Sequence, residues 1–372
     1  ARLKLAPEKL ALALDGARQV AALPDPVGRT LRSTLLDDGL RLHQVTVPLG
    51  VVACVFESRP DVCVQIPSLT LRSGDAALLK GGAEAERANA ALVDAAREGL
   101  ASAGLPPDAV ARVEGRAEMA ELLRHDDLVD LVVPRGSSAL VRHVMASTRI
   151  PVLGHAEGVC HVFVDVAADP AKAARIAVDA KTDNPSACNA AETFLLHERD
   201  GGAGRAALEA LSKAGVALRA SERAMRLADG LASPAAPEDF GREFGDLVAS
   251  VDAVSSVEEA VAFVNRHGSR HTDVIVTEDK DAARRFVEGV DAAGVFVNAS
   301  PRFADGYRYG LGAEVGISTS KIHARGPVGL DGLVTTKWIL LGEGHVAAPY
   351  QGAQARRFLH RAQEPAPWVR DL

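Results

Sequence analysis

Strand-length apolar runs alternate with helix-period segments almost from end to end, which predicts an α/β protein built mainly on parallel sheets. Three observations carry this prediction. Runs such as "GVVACVF", "AALLK" and "DLVDLVV" have the length and continuity of buried strands. Between them lie amphipathic stretches, several closed by glycine, as helices commonly are. The length, 372 residues, exceeds what one compact core usually holds, so two domains and a small appendage are expected.

Taken in order, "GVVACVF" (Gly50 to Phe56) reads as a strand, "DVCVQIPSLTLRSG" as a helix ending at Gly74, and "AALLK" as the next strand. After Gly81 and Gly82 comes "AEAERANAALVDAAREGLASAG", a long helix that Gly104 closes. "DLVDLVV" is a strand, "RGSSALVRHVMAS" a turn and helix, and "VCHVFVDV" another strand, giving a stack of βαβ units. In the second half "DPAKAARIAVDAK" is helical, and "FLLH" and "GVALRAS" are short strands. Ser255 with Glu258 forms a capping box before "VEEAVAFVNRHG", whose Val257, Val261 and Val264 share one face. The strand "DVIVTED", the helix "KDAARRFVEGV" and the strand "GVFVNAS" follow. Ala228 to Asp246 reads as an exposed loop. The strand-like run in "GLVTTKWILLGEG" is far in sequence from any partner, so pairing across a subunit interface is expected.

The charge balance, 42 basic against 49 acidic side chains and a net charge of -7, gives no electrostatic reason to expect a nucleic-acid or anionic-membrane partner. No apolar run has the length of a membrane span, and the first residues lack a signal-peptide layout. The 4 cysteines cannot make a disulfide framework in so long a chain, and none forms a CxxC pair suited to zinc. No metal site is expected, and a reducing compartment is. Cys54, Cys63 and Cys160 lie in apolar runs, where free cysteine behaves as a buried hydrophobe. Cys188 differs. Turn-forming Asp183, Asn184, Pro185, Ser186 and Asn189 surround it, which leaves two readings open: a reactive thiol, or a small core residue beside a turn.

Anion sites are read from strand-to-helix turns. "GAGRAA" at Gly202 to Ala207 matches a dinucleotide pattern, but polar residues part it from the preceding strand, so a surface loop is expected there. "LLKGGAEAER" carries a strand through Lys80, Gly81 and Gly82 into a helix, and "LVVPRGSSALVR" carries another through Arg135, Gly136, Ser137 and Ser138. Bare N–H groups beside small residues and a cation suit phosphate, and two such turns in successive units fit a dinucleotide crevice. A third cluster, "NASPRFADGYRYGLGAEVGISTSKIHARGPVG", is dense in glycine, arginine, lysine and histidine, and reads as an ordered loop for a carboxylate or phosphate.

These segments resemble the gamma-glutamyl phosphate reductases of the aldehyde dehydrogenase superfamily. The motifs are "VPLGVVACVFESRPDV", "LLKGGAEAERANAAL", "DLVVPRGSSALVR", "IPVLGHAEGVCHVFVD", "AKTDNPSACNAAETFLLH", "HTDVIVTED", "VNASPRFADGYRYGLGAEVGISTSKIHARGPVGL" and "TTKWILLG". They follow in order from about Leu31 to Gly344, and several look like the reductase half of delta-1-pyrroline-5-carboxylate synthase. The resemblance implies two Rossmann-like parallel-sheet domains with a small oligomerisation arm. The cofactor domain is expected over residues 1–165, the catalytic domain over 166–335, and a C-terminal segment over 336–372 that returns to the cofactor domain or forms the arm. It implies NADPH-dependent reduction of L-glutamate 5-phosphate to L-glutamate 5-semialdehyde, a step of proline biosynthesis. A homo-oligomer in the cytoplasm, or in a mitochondrial or plastid matrix, is expected, with a glutamate 5-kinase as partner or fused half.

By the family motif Cys188 is the nucleophile, Lys80 and Gly81 meet the adenosine ribose and its 2′-phosphate, Gly136, Ser137 and Ser138 the pyrophosphate, and Glu243 the nicotinamide ribose. The base that brings water to the thioester in hydrolytic relatives is replaced by Gly154, and Glu157 nearby is out of register. A reductase gains nothing from activated water, which would destroy the intermediate. A helix N-terminus after Pro185, or Lys181, is expected to lower the thiol pKa. The Cys188 N–H with the Asn189 side chain is expected to hold the oxyanion. Arg59, Asp61, Arg302 and Arg325 are the substrate candidates.

Pro301 departs from the threonine common in the family, which puts hydrogen bonding beside the binding loop in question. Family members carry roughly one more helical segment ahead of "LKLAPEKLALALDG", so a truncated or processed form, or the reductase part of a longer protein, is expected. Other readings are an aldehyde dehydrogenase-type oxidoreductase for a different acyl phosphate or aldehyde, and a non-catalytic scaffold of the same fold.

Overall fold

A computed structural model describes residues 6–155, 157–321 and 323–371. Helix α1 (Pro7–Ala22) precedes a hairpin of β1 (Thr30–Asp37) and β2 (Leu40–Pro48), turned at Asp38 and Gly39, where a φ of 70° suits glycine. Next come β3 (Val51–Phe56), α2 (Val62–Arg72), β4 (Ala76–Lys80), α3 (Glu86–Ser102), β5 (Val110–Arg112), α4 (Gly115–Leu122), β6 (Leu131–Arg135) and α5 (Ser138–Ser147). The four strands pair in parallel in the order β5-β4-β3-β6. Helix-covered on its faces, this sheet buries Val52, Cys54, Leu79 and Val133, as parallel sheets require.

The second body runs through β7 (Cys160–Val164), α6 (Pro170–Thr182), β8 (Ala191–His197), α7 (Ala203–Lys213), β9 (Ala217–Ala220), α8 (Met225–Ala228), β10 (Ala232–Pro234), β11 (Val248–Val254), α9 (Val257–His267), β12 (Thr272–Val276), α10 (Lys280–Gly289) and β13 (Gly294–Val297). Its seven strands are all parallel, in the order β10-β9-β11-β8-β7-β12-β13. Central β8 is buried along its whole length; each of Phe194, Leu195 and Leu196 contributes about 2 kcal/mol by leaving water.

Residues 304–341 fold back onto the first body. A hairpin of β14 (Gly316–Ser318) and β15 (Gly326–Val328) brings Val315, Val328, Leu330 and Leu333 into the core of the first sheet. Strand β16 (Val334–Leu341) then pairs antiparallel with β2 over its full length, and β17 (Arg361–Gln363) pairs with β1. The lone C-terminal strand of the sequence reading thus finds its partner within the chain, in a four-stranded sheet ordered β16-β2-β1-β17. The packing also moves the expected divisions, since β7 already belongs to the second sheet before residue 166 and the return to the first core precedes residue 336.

Three local expectations shift. The cap of α9 is Ser256, whose hydroxyl accepts the Glu259 N–H at 3.2 Å, while Glu259 bonds back to Ser255; the box lies one residue later than Ser255 and Glu258. "GAGRAA" is no loop but the start of α7, and the Asp200 carboxylate caps it by accepting the N–H groups of Gly204 and Arg205 at 2.8 and 2.9 Å. That carboxylate fills the position a phosphate would need. The segment from Ala228 to Asp246 is no free loop either: it adds edge strand β10 and buries Asp239.

Candidate active site

The carboxyl ends of β3 and β6 face the amino ends of β7 and β8 across a cleft of about 990 Å³. Arg59, Asp61, Gly136, Ser137, Ser138, Cys188, Asn189, Glu243 and Arg302, all singled out from the sequence, line it. At its floor the chain leaves α6 and crosses to β8 through residues 183–190. Two tight turns close this crossing, with Ala187 N–H donating to Asn184 O at 3.0 Å and Ala190 N–H to Ala187 O at 2.9 Å. No helix begins after Pro185, so the expected helix dipole is not the source of thiol activation. Gly158 underlies the turn so closely that a Cβ on it would stand 2.0 Å from the Cys188 carbonyl oxygen.

Of the four free cysteines only Cys188 is not buried. Burial pushes the Cys54 and Cys63 thiols up to about 12 and raises Cys160 as well, so these three are packing residues, as expected. One ligand atom from each of Cys188, His155 and His271 lies within 4.8 Å of the others, a cluster that no spacing in the sequence signals. Lys181 does not serve the thiol. It is fully buried and donates to Glu192 at 2.6 Å. Burial pushes Lys181 down and Glu192 up, and their mutual attraction opposes both shifts. The backbone N–H groups of Phe244 and Gly245 also oppose the rise at Glu192, which places the segment carrying Glu243 beside this pair. Glu243 in turn accepts the Gly158 N–H at 3.0 Å, so it touches the support of the nucleophile directly.

The Asn189 assignment requires correction. Its Nδ2 donates to Ala304 O at 2.9 Å and to Arg302 O at 3.4 Å, so the amide ties the turn to residues 302–304 and is not free to meet an oxyanion. Asp183 completes that tie by accepting from Arg302 Nε at 3.0 Å and Arg308 Nη2 at 3.3 Å. Burial raises its carboxyl, but these arginines outweigh burial and hold it below the ordinary range. Pro301 is no defect: it opens a short 3-10 turn capped by Ser300, the one position where a missing N–H costs nothing.

Substrate candidates separate as well. Arg59 lies 3.7 Å from Asp61, which also pairs with Lys9 at 2.9 Å, and all three line the cleft. Arg325 is bound to Asp291 at 2.9 Å, outside the residues that line the cleft, and is withdrawn from the substrate list. Glu157 pairs with Arg142 at 2.7 Å near the surface. A Cβ at Gly154 would stand 3.2 Å from Pro134 Cγ, so that position holds no carboxylate and has little room for one.

Lys80 and Gly81 line a neighbouring pocket of about 670 Å³ that shares Glu57 with the cleft. The sequence reading missed Arg112 and Arg116, which also line it. A Cβ on Gly81 would meet Asn89 Nδ2 at 2.1 Å, and one on Gly136 would meet Glu57 Oε2 at 2.5 Å, so a larger residue at either turn would have to displace that side chain. Ser137 N–H, at the start of α5, donates to Glu57 Oε2 at 2.8 Å. A backbone donor holding an anion beside glycine is the local chemistry a nucleotide phosphate needs.

The profile of the aldehyde dehydrogenase family matches residues 9–216. A gamma-glutamyl phosphate reductase of Synechococcus sp. (strain JA-3-3Ab) is 52% identical over 365 residues, 97% of this chain and 80% of the relative. One from Parasynechococcus marenigrum is 51% identical, over 97% of this chain and 82% of its own. The crystal structure of the Thermotoga maritima gamma-glutamyl phosphate reductase superposes with a TM-score of 0.88 at 39% identity, covering 93% of this chain and 84% of that one. This chain belongs to the gamma-glutamyl phosphate reductase family. An acetylating aldehyde dehydrogenase from Geobacillus thermoglucosidasius, 18% identical with a TM-score of 0.67 over 91% of this chain and 84% of that one, shares the fold.

The chain is therefore an oxidoreductase of the aldehyde dehydrogenase family acting on a small molecule with a nicotinamide cofactor. Among the described residues of this reductase, no helix is long and apolar enough to cross a membrane.

Proposed function

We propose that this reductase converts L-glutamate 5-phosphate to L-glutamate 5-semialdehyde in proline biosynthesis, using NADPH and a thioester on Cys188. The observation that carries the reading is the single accessible cysteine, on a braced turn, at the floor of the cleft between the two parallel sheets. The first sheet is assigned to the cofactor and the second to the nucleophile.

The sulfur, having given up its proton, attacks the acyl carbon; the S–C bond forms and phosphate leaves with the electrons of the C–O bond. His155 and His271, each with a nitrogen within 4.8 Å of the sulfur, are assigned as acceptors of the thiol proton. The backbone N–H of Cys188 is assigned to the oxyanion, now without Asn189. Arg59 and Arg302 are assigned to the substrate's carboxylate and phosphate, with Asp61 positioning Arg59. Gly136, Ser137 and Ser138 would receive the cofactor's pyrophosphate, Lys80 and Gly81 its adenosine ribose, and Glu243 the nicotinamide ribose. Lys80, Arg112 and Arg116 favour a 2′-phosphate over a hydroxyl. A nicotinamide bound there supplies the hydride that reduces the acyl group, and the thiohemiacetal on Cys188 then collapses to the semialdehyde. With Gly154 in its place, the carboxylate that brings water to the thioester in hydrolytic relatives is missing, which favours reduction over hydrolysis.

A cytoplasmic homo-oligomer working with a glutamate 5-kinase, as partner or fused half, completes the proposal. The test is the reverse reaction, phosphate-dependent reduction of NADP by glutamate semialdehyde. Cys188→Ala is expected to remove it while leaving NADPH binding within about twofold. Appreciable turnover by that variant would falsify the covalent route.

A further inference from the structure

Each of the two histidines beside Cys188 presents one nitrogen already engaged and one bare. His155 Nδ1 lies 2.9 Å from the Ile317 carbonyl oxygen, and because a carbonyl only accepts, Nδ1 carries the proton and Nε2 keeps its lone pair. His271 Nδ1 lies 2.9 Å from Thr272 Oγ1, and its Nε2 is buried with no hydrogen-bond partner, in a residue only 1% exposed. A buried polar nitrogen left unsatisfied is costly and calls for an explanation. The rings lie side by side, edge to face, with centroids 5.0 Å apart and planes at 75°, and a nitrogen of each falls within 4.8 Å of the other and of the Cys188 sulfur.

We propose that His155, Cys188 and His271 form a site for a thiophilic divalent cation, zinc above all, that reversibly caps the nucleophile. Two imidazoles and a thiolate are the donor set that borderline-soft zinc prefers and that magnesium refuses. Zinc bonds of about 2.0–2.3 Å to nitrogen and sulfur set neighbouring donor atoms roughly 3.3–3.6 Å apart. The three donor atoms stand within 4.8 Å, so closure needs about an ångström of movement. His155 is half-buried and can supply it, with rotation of the half-buried Cys188 side chain on its fixed backbone; His271 is buried. The Ile317 carbonyl then acts as the outer partner that holds His155 in its metal-binding tautomer, and the Thr272 hydroxyl, able to accept from His271 Nδ1, supports the same tautomer there. The fourth position opens onto the cleft. Binding replaces the thiol proton, which is released to solvent, and no redox change occurs. A sulfur bound in this way cannot attack an acyl phosphate, so the zinc form is inactive; that consequence rests on the nucleophile assignment above, whereas the site itself does not.

The experiment is calorimetric titration of the reduced full chain with zinc, alongside metal analysis after desalting and the near-ultraviolet thiolate-to-metal absorption of the cobalt form. One zinc per chain is expected, with proton release, no competition from millimolar magnesium, and loss of activity that a chelator restores. His271→Ala and Cys188→Ala are each expected to weaken binding at least 100-fold, and Cys188→Ala to abolish the cobalt absorption. Because His271 is buried, His155→Gln, at the cleft edge, serves as a second variant, with thermal unfolding as the check on its fold. Zinc affinity within threefold of the parent in a folded His155→Gln, or unchanged in Cys188→Ala, overturns the proposal, as does substoichiometric binding by the parent. Zinc bound as expected by a chain that fails to reduce NADP with glutamate semialdehyde upholds the site and overturns the functional reading instead.

Discussion

The two walls of the cleft are built to opposite rules. On the nucleophile wall the turn's own hydrogen bonds are backed by contacts from distant segments: Gly158 packs beneath Cys188, Asn189 reaches Ala304 and Asp183 reaches Arg302. On the cofactor wall the polar groups are held by carboxylates that a ligand can replace, with Glu57 on the Ser137 N–H and Glu84 on Ser58. The first wall is preorganised for a bond-making step, where a small displacement of the sulfur is expensive. The second is preorganised for exchange, because nucleotide must enter and leave each turnover.

The largest contrast is in thiol chemistry. A thiol held at about 12 offers roughly a thousandth of the thiolate of one at 9.0, and a buried sulfur is also unreachable. One equivalent of a mild alkylating reagent at pH 8 is expected to modify Cys188 alone, with Cys54, Cys63 and Cys160 reacting at least a thousandfold more slowly until the chain unfolds. Peptide mapping by mass spectrometry decides this. Labelling spread evenly over the four cysteines would erase the distinction between the walls.

Next is Gly158→Ala. The added methyl must push the backbone of Cys188, since its nearest neighbours are backbone atoms at 2.0–2.5 Å with no flexible side chain to yield. Turnover is expected to fall at least 100-fold while NADPH binding, measured by fluorescence titration, changes less than threefold. A parallel loss of both would mean that the walls are mechanically coupled.

How far such contrasts are legible in sequence depends on how far apart the partners are. The βα alternation reads correctly because its periods are local, and the turn around Cys188 reads correctly because Asp, Asn, Pro and Ser mark it. Asn189 was misread because the carbonyls that claim its amide belong to Arg302 and Ala304, over a hundred residues away. Arg325 looked like a free cation because nothing near it in sequence announces Asp291. His155 and His271 come from separate sheet connections and meet only when β7 and β12 pair side by side. Strand β16 falls in the same class, pairing with β2 across nearly the whole chain. The β1–β2 hairpin, by contrast, was readable from Asp38-Gly39, a strong local hairpin signal that went unused.

On the exchange wall the effects are smaller and of both signs. Arg116→Ala removes a cation from the Lys80 pocket and is expected to weaken NADPH about tenfold while leaving NADH nearly unchanged. Glu57→Gln keeps the shape but removes the charge that competes with phosphate for the Ser137 N–H, so NADPH is expected to bind several-fold more tightly. A weaker cofactor in Glu57→Gln would make that carboxylate a constructive part of the wall instead of an occupant.

The last contrast lies in alkaline stability, and it tests the buried thiols from the thermodynamic side. Cys54 and Cys63 have folded pKa values raised from 9.0 to about 12. Between those limits the unfolded chain has lost the thiol protons and the folded chain still holds them, so the unfolded state binds fewer protons and stability falls as pH rises. Each buried thiol then contributes its full stabilisation below pH 9 and loses it progressively up to about 12, at roughly 1 kcal/mol per pH unit. Urea unfolding at intervals across that range is expected to give a shallower slope for Cys54→Ala than for the parent. An unaltered slope in Cys54→Ala would show that this thiol gives up its proton as readily in the folded chain as in the unfolded one, which its full burial on β3 does not allow.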